Sequence, residues 1–298
     1  MGARPAEWGP GDRGYILTMG LLRLLTIAGS DSGGGAGLQA DLKTFAAHGA
    51  YGMSAVTAVT AQNTVAVTAV HELPPEVVAA QIDAVFGDLG VDGVKIGMLA
   101  SAPIVRAVAG ALERWIRRPR VDGRTLPVVL DPVMVAKSGD PLLADDAVEA
   151  LAAELLPMAT VLTPNLPETA RLTGLPVSTR EERLAAAREL ATRGPTVLLK
   201  GGHGEGDEVE DLLVAGGGGE LLGSFRNPRI ATRATHGTGC TLSSALAARL
   251  AAGEAPVRAV AGAIEYLRGA MAAAVPLGAG HGPVDHLYAL NVERREVP

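Results

Sequence analysis

The feature that most constrains the fold is an alternation of short apolar segments with longer Ala-rich segments of helical period, which runs through nearly the whole chain. Apolar strands that alternate with helices are typical of a parallel sheet covered by helices on both faces. The sequence therefore predicts an α/β fold, a three-layer sandwich with a central, mostly parallel sheet. No repeat or linker divides the chain, so we expect a single domain over residues 19–298 and a disordered N-terminal extension over residues 1–18.

The predicted strands, in chain order, are "LRLLTIAG", "MSAVTAVTA", "DGVKIGML", "LPVVLDPV", "ATVLTPN" and "PTVLLKGG". The predicted helices cover residues 36–49, 75–88, 103–118, 144–156, 166–174, 180–194, 239–252 and 256–274. Residues 207–233 read as an antiparallel insertion at one edge of the sheet, with "GGGG" at its tip. Because ligands of such sheets bind beyond the carboxyl ends of the strands, functional residues are sought there.

The first strand is followed by a glycine-rich turn, "AGSDSGGGAGLQADLKT", which opens a helix. A dinucleotide fingerprint requires a third glycine, but the frame from Gly33 places Leu38 at that position. It also requires an acidic residue at the end of the second strand, and that strand ends in Ala-Gln-Asn. No Gly-Lys pair occurs, which excludes a P-loop. Taken alone, the segment remains open between a ligand-binding turn and a plain glycine-rich turn.

The segment "HGTGCTLSSALAARLAAG" begins another helix and contains the single cysteine of the chain, Cys240. The N–H groups of Gly237, Thr238, Gly239 and Cys240 would converge at the helix N-terminus and form an anion site that the helix dipole favours. A thiol in that position is expected to have a lowered pKa. The alternative is a helix start that carries a buried and inert cysteine.

Three further strand ends carry polar side chains. Asp131 ends one strand and is followed by a loop that contains Lys137. Asn165 and Glu168 follow the next strand. Lys200 ends a third strand and precedes two glycines. A carboxylate and an amide at neighbouring strand ends suit Mg²⁺, which takes few protein ligands and keeps its waters. The alternatives are that Asn165 and Glu168 form a capping box and that Lys200 belongs to an ordinary turn.

Composition excludes several classes of function. The formal net charge is −6 and no basic block is present, which argues against a nucleic-acid partner. One cysteine excludes an internal disulfide and a cysteine-cluster metal site, and fits a cytoplasmic protein. No apolar run reaches the roughly 18 residues of a membrane span, so no membrane partner is expected.

Together the motifs are far more specific than any one of them. "TIAGSDSGGGAGLQADLKTFAAHGAYGMSAVTAVTAQNT", "KIGML", "LDPVMVAKSGDPLL", "TPNLPE", "KGGH", "HGTGCTLSSALAA" and "GHGPVDH" occur in this order over residues 24–286. The chain closely resembles the hydroxymethylpyrimidine/phosphomethylpyrimidine kinases of thiamine biosynthesis, within the ribokinase-like superfamily. The resemblance implies a ribokinase-like fold, commonly a homodimer, and two successive phosphorylations of an aminopyrimidine by ATP with Mg²⁺.

The resemblance also implies roles for individual residues. Ala36, Asp41 and Gln62 would read the pyrimidine edge, and Met98 and Val133 would line its ring. Asn165 and Glu168 would form a magnesium–phosphate pair, Asp131 would act through water, Lys200 would bind ATP phosphates, and Lys137 would lie on a loop that covers the site. Cys240, with a pKa near 7, would accept the hydroxyl proton in the first phosphorylation. The second phosphorylation needs no base, because its nucleophile is an ionised phosphate.

Two other functions stay open at this point. A pyridoxal or pyridoxine kinase would use a related fold on another hydroxymethylated heteroaromatic ring. A non-catalytic pyrimidine-binding protein could share the fold, although the joint presence of Asp131, Glu168, Lys200 and Cys240 favours an enzyme.

Overall fold

A nine-stranded sheet forms the centre of the computed structural model, which describes residues 21–118, 123–135, 139 and 142–290. The predicted extension over residues 1–18 and the predicted site residue Lys137 lie outside the described residues. The strands are β1 (Arg23–Asp31), β2 (Tyr51–Gln62), β3 (Val67–Glu72), β4 (Gly93–Ile96), β5 (Val128–Leu130), β6 (Val161–Leu162), β7 (Thr196–Leu199), β8 (Glu208–Val214) and β9 (Leu221–Pro228).

Helices cover both faces of this sheet and complete the predicted three layers. They are α1 (Gly37–Ala47), α2 (Pro75–Asp88), α3 (Ala102–Ile116), α4 (Asp145–Ala150), α5 (Leu166–Thr173), α6 (Arg180–Ala191), α7 (Thr238–Ala251) and α8 (Pro256–Ala272). Successive residues of β1 point to opposite faces: Leu25 belongs to the apolar core shared with α2 and α3, and Leu24 to the core shared with α7 and α8. The α/β three-layer prediction is therefore confirmed.

The strand order is β3-β2-β1-β4-β5-β6-β7-β8-β9. Six neighbouring strands pair in parallel: β2, β1, β4, β5, β6 and β7. Strand β3 at one edge and strands β8 and β9 at the other edge pair antiparallel. The predicted antiparallel insertion over residues 207–233 is thus confirmed. Strand β3 was not predicted, because most of its residues are exposed and give no apolar signal.

Strands β5 and β6 are shorter than the predicted segments, and the helices agree with the sequence patterns except around residues 144–156. There α4 ends at Ala150 and continues as a π-helical turn, Leu151–Leu155, and a 3-10 turn, Leu156–Met158. Pro157 has no N–H group to continue the helical ladder, which ends the segment. Among the helices within the described ranges, none is long and apolar enough to cross a membrane.

The parallel strands bring distant parts of the chain to one edge of the sheet. Gln62 ends β2, Asp131 directly follows β5, Asn165 lies three residues beyond β6, and Lys200 directly follows β7. A backbone bridge pairs Asn165 with Lys200. The polar residues selected from the sequence therefore meet at the carboxyl ends of the strands.

Candidate active site

A cavity of about 1030 Å³ lies at this edge of the sheet. Twelve of the predicted site residues line it: Ala36, Gln62, Met98, Asp131, Val133, Asn165, Glu168, Lys200, Gly237, Thr238, Gly239 and Cys240. Asp41 is not among the lining residues, and Lys137 lies outside the described part of the chain, although Val135 and Gly139 on either side of it reach the cavity. One cavity thus brings together motifs as far apart in sequence as Ala36 and Cys240.

The N-terminus of α7 opens into this cavity. Its N-cap, Gly237, has a φ of 77°, and a Cβ added there would lie 1.8 Å from the carbonyl oxygen of Gly35, so only glycine fits. No described side chain caps the helix. The N–H groups of its first turn have no carbonyl four residues back within the helix, and the helix dipole adds partial positive charge. This arrangement can bind an anion.

An ion pair lies at the floor of the cavity beside that turn. The Lys200 Nζ atom is 2.7 Å from Oδ1 of Asp131, to which the Thr163 hydroxyl also donates at 3.2 Å. A Cβ on Gly239 would lie 3.4 Å from both Lys200 Nζ and Asp131 Oδ2, which shows how closely helix α7 approaches the pair. Burial opposes the charge on Lys200, but Asp131 and Glu168 outweigh it and hold the lysine pKa above its ordinary value.

Asn165 and Glu168 form a complete capping box at the start of α5. The Glu168 N–H donates to Asn165 Oδ1 at 2.9 Å, and the Asn165 N–H donates to Glu168 Oε2 at 2.7 Å. The capping alternative is therefore confirmed, yet both side chains also line the cavity. Burial, together with the negative charge of Asp131, raises the pKa of Glu168 to about 7 against the opposing effect of Lys200.

The carboxylates of Asp131 and Glu168 suit a cation that takes few ligands from the protein. Asp131 and Glu168 both interact with one ammonium, Lys200, so this cluster of three side chains carries one excess negative charge when both carboxyls are ionised. Within the described ranges no group of three or more His, Cys, Asp or Glu side chains could hold a metal ion by itself. A donor set of two carboxylates suits Mg²⁺, which completes its shell with water and phosphate oxygens.

The structure corrects the predicted chemistry of Cys240. Burial raises its pKa to about 11: Lys95 lowers the pKa, but Asp41 and Asp131 raise it further. A hydrogen bond from the backbone N–H of Gly37 favours the thiolate, but it does not offset the effect of burial on the pKa. The predicted pKa near 7 is wrong, because desolvation outweighs the helix N-terminus.

Asp41 also differs from its predicted place. Its side chain is fully buried 2.8 Å from the Lys95 ammonium and accepts hydrogen bonds from Thr26 at 2.6 Å and Ser244 at 2.7 Å. The carboxylate lies on the inward face of α1, so the structure gives no support to a direct contact with a pyrimidine edge. The sequence pattern showed a carboxylate after a glycine-rich turn but not the face on which it lies.

The remaining predicted substrate residues form an apolar slot with one polar edge. Met98 packs with Ala58, Ala100 and the partly buried Val133. At the end of β2, the Gln62 side chain lines the cavity and its Oε1 atom accepts a hydrogen bond from the Thr60 hydroxyl at 3.2 Å. A small planar ring with polar substituents at one edge fits such a slot.

Asp31 is a site residue that sequence reasoning missed. Its carboxylate accepts hydrogen bonds from the N–H groups of Gly33, Gly35 and Ala36 at 2.8 to 2.9 Å, and contacts His236 Nε2 at 2.9 Å. Burial opposes ionisation, but the His236 and backbone hydrogen bonds hold the Asp31 pKa below its ordinary value. The available signal was an Asp two residues before a glycine turn, a common Asx arrangement. His236 therefore has a hydrogen-bonding role at the site.

The far end of the cavity was missed altogether. It is mostly apolar and lies between β8, β9 and α8; its lining includes Asn227, Ile230, Ala231, Ile264, Leu267 and Met271. Asp211 stands where this part meets Lys200, accepts the Gly201 N–H at 2.7 Å, and has a pKa raised to about 6 by burial. These residues carry no motif, so only the fold brings them together.

Comparison with known proteins places this site in a family. The family model described as phosphomethylpyrimidine kinase matches residues 31–285. The hydroxymethylpyrimidine/phosphomethylpyrimidine kinase of Streptomyces coelicolor is 52% identical over 268 residues, which are 90% of this chain and 95% of the relative. That of Rhizobium meliloti is 50% identical over 268 residues, 89% of this chain and 96% of the relative.

A solved structure gives the same result for the fold. The Staphylococcus aureus pyridoxal kinase in complex with AMP-PCP and pyridoxal superposes with a TM-score of 0.79 at 33% identity, over 92% of this chain and 96% of that one. That neighbour holds a nucleotide analogue and a hydroxymethylated ring together. The sequence match, the fold and the cavity agree: this chain belongs to the phosphomethylpyrimidine kinase family, a family of phosphotransferases of ribokinase-like fold.

Proposed function

We propose that this protein transfers the γ-phosphoryl group of ATP to the hydroxymethyl group of 4-amino-5-hydroxymethyl-2-methylpyrimidine, and then phosphorylates the monophosphate to the diphosphate for thiamine biosynthesis. The observation that carries the proposal is the position of the Lys200–Asp131 pair beside the first turn of α7, in one cavity with the Gln62 slot. An anion site and a ring-sized slot in one cavity suit phosphoryl transfer to a small aromatic alcohol.

The pyrimidine and ATP bind at opposite ends of the cavity. The pyrimidine ring lies between Met98 and Val133, and Gln62 and the backbone at Ala36 read its polar edge. The apolar region beside Ile264 and Leu267 accepts the adenine of ATP. The phosphates then extend past Lys200 toward the start of α7, where a helix N-terminus favours them.

The transfer is an in-line displacement. The hydroxymethyl oxygen forms a bond to the γ-phosphorus, the bond from that phosphorus to the β–γ bridging oxygen breaks, and its electron pair stays on ADP. Phosphoryl transfer relies on positioning and charge stabilisation. The N–H groups from Gly237 to Cys240 and the Lys200 ammonium stabilise the equatorial oxygens of the transferred group.

Asp131 and Glu168 would hold Mg²⁺, directly or through water, with Asn165 beside the phosphates. The ion supplies charge neutralisation for the β- and γ-phosphates when bound. Lys137 is proposed to bind the nucleotide; Val135 and Leu142, which precede and follow it in the chain, line the cavity.

Cys240 is proposed to take the hydroxyl proton in the first reaction. With a pKa of about 11, only a small fraction of the thiol is ionised at pH 7, but each thiolate is a strong base. The proton lost by the alcohol then resides on sulfur until it exchanges with solvent. In the second reaction the attacking phosphate is already ionised, so Cys240 has no proton to remove.

A pyridoxal kinase activity is the second candidate, because the superposed Staphylococcus aureus structure binds pyridoxal in the same fold. The higher identity to the pyrimidine kinases, 50–52% against 33%, favours the pyrimidine. A coupled ADP-release assay with the pyrimidine, its monophosphate and pyridoxal tests the proposal through kcat/KM. We expect turnover with the first two and a much lower value with pyridoxal. A preference for pyridoxal, or no turnover with any of them, would contradict it; the latter would support a non-catalytic pyrimidine-binding protein.

We further propose a homodimer in the cytoplasm. Tyr51 and Val59 on β2 and Val70 on the edge strand β3 are apolar residues that stay about half exposed, and a second copy that packs against this edge of the sheet would cover apolar area. The free Cys240 thiol suits a reducing compartment that supplies ATP.

A further inference from the structure

A buried ion pair lies behind the cavity wall. The Lys95 Nζ atom on β4 is 2.8 Å from Oδ2 of Asp41 on α1, and neither side chain has any exposed surface. A Cβ on Gly97 would lie 2.7 Å from the ammonium, so glycine leaves room for it. Such pairs add little stability compared with apolar residues of the same size, because desolvation offsets their attraction. Stability alone therefore does not explain why this ion pair is buried here.

The pair is joined directly to the helix that carries Cys240. The Ser244 hydroxyl donates to Oδ1 of Asp41 at 2.7 Å, and the Thr26 hydroxyl donates to Oδ2 at 2.6 Å. Ser244 follows Cys240 by four residues, so the two side chains lie one helical turn apart on the same side of α7. The contact places the ion pair on the sheet-facing side of the first turns of α7.

Four charged groups act on the Cys240 thiol from the surrounding elements. Lys95 on β4 stabilises the thiolate, whereas Asp41 on α1 and Asp131 after β5 destabilise it. Lys200 after β7 also interacts favourably with the thiolate. Lys200 faces the cavity and the phosphates, whereas Lys95 is buried, so its ammonium remains in place whether or not nucleotide is bound.

We propose that Lys95 is a positioning residue for the phosphorylation of the alcohol: its buried ammonium stabilises the Cys240 thiolate, and Asp41 fixes the ammonium and joins it to α7 through Ser244. The catalytic meaning of this role depends on the proposed function. The effect on the thiol does not, because it can be measured without turnover.

The test uses the only cysteine of the chain, so that alkylation by iodoacetamide reports Cys240 alone. The alkylation rate is measured between pH 7.5 and pH 10 for the wild type, Lys95→Met, Asp41→Asn and the double variant. Lys95→Met should slow alkylation roughly tenfold at a given pH, which corresponds to one pKa unit, and Asp41→Asn should accelerate it. The double variant should lie between the two single variants.

The opposite signs separate an electrostatic role from a structural one. Loosened packing would change both single variants in the same direction, and either that result or unchanged rates would overturn the proposal. Ser244→Ala, which removes a hydrogen bond but no charge, is the matched control and should change the rate less than Lys95→Met. Circular dichroism checks folding. If Lys95→Met fails to fold, the comparison of Asp41→Asn with the double variant carries the test: the double variant must react more slowly.

A kinetic measurement connects the thiol to the reaction. Lys95→Met should lower kcat for the alcohol more than kcat for the monophosphate, and equal losses would overturn its role in the first step. Absence of wild-type turnover on both substrates would refute the proposed function, while the order of alkylation rates would still decide the effect of Lys95 on the thiol.

Discussion

The Lys200 ammonium lies 2.7 Å from the Asp131 carboxylate, although the two residues end strands that are separated by β6 in the sheet. The first turn of α7 approaches both, with the Cβ position of Gly239 3.4 Å from each. The partner carboxylate keeps the lysine charged despite its burial. A fixed cation and a helix N-terminus therefore face the same point of the cavity before any phosphate arrives.

Replacement of Lys200 by Met should lower kcat/KM for both phosphorylations by roughly 10²–10³-fold, as loss of one charge-stabilising group does in other active sites. Lys200→Arg should restore little, because the planar guanidinium is larger than the ammonium and helix α7 lies close to it, with the Cβ position of Gly239 3.4 Å from Nζ. Arg193→Ala is the control, since Arg193 pairs with Glu189 one helical turn away and does not line the cavity. A variant without Lys200 that retained wild-type kinetics would contradict a phosphate role.

Magnesium binding should depend on pH through Glu168. Its pKa of about 7 means that the carboxyl is about half ionised at pH 7 and mostly protonated at pH 6. A metal ligand must be deprotonated, so the affinity for Mg²⁺-ATP should fall up to tenfold per pH unit below 7. Calorimetric titration at pH 6 and pH 8 measures this.

Glu168→Gln is the matched variant for that titration, because it keeps an oxygen acceptor for the capping box of α5. It should bind Mg²⁺-ATP more weakly at pH 8 and lose most of the pH dependence. An unchanged dependence in the variant would assign the effect to another group.

The stability of the protein should fall on mild acidification through His286. Burial lowers its pKa to about 4, helped by the nearby charges of Lys43 and His236, and its Nε2 atom has no partner within the described residues. The unfolded side chain takes up a proton near pH 6.5 and the folded one does not until about pH 4. Protonation therefore favours unfolding across that window, by roughly 2 kcal/mol between pH 6.5 and pH 5.

Urea unfolding at pH 7 and pH 5 measures this effect. The loss of stability should be smaller by about that amount in His286→Gln than in the wild type. The variant His281→Gln, which changes an exposed histidine, should lose as much stability between pH 7 and pH 5 as the wild type. Equal losses in all three proteins would mean that the acid sensitivity comes from carboxylates.

The parallel core of the fold and its helices could be predicted, because each buried strand and each helical face leaves a periodic apolar signal. The exposed strand β3 leaves none, and only its pairing with β2 defines it. Site residues with a motif at a strand end, such as Asp131 and Lys200, could be predicted because parallel strands share one edge. The apolar far end of the cavity, beside Ile264 and Leu267, could not be predicted, since it consists of ordinary apolar residues from separate elements.

The two site predictions that the structure does not support have a common physical origin. The resemblance implied that Asp41 reads a pyrimidine edge, and the helix start predicted a lowered pKa for Cys240. Burial decides both cases, since it places Asp41 against Lys95 and raises the thiol pKa to about 11. Neither the direction of a side chain nor its desolvation can be derived from spacing along the chain.

The raised thiol pKa predicts different pH profiles for the two reactions. If thiolate is the base, kcat for the alcohol should rise up to tenfold per pH unit from pH 6 toward pH 9, because the thiolate fraction rises in that proportion below its pKa. The profile for the monophosphate should stay nearly flat above pH 7. Rapid-quench measurement of each step gives the two profiles, and a shared slope would contradict a base specific to the alcohol.

The most direct test of the account is Cys240→Ser, assayed separately on the alcohol and on its monophosphate. The account predicts a loss of roughly 10²–10⁴-fold in kcat for the alcohol, the usual contribution of a general base, and only a few-fold loss for the monophosphate. Equal losses on both substrates would contradict it, and would leave Cys240 as a packing residue at the start of α7.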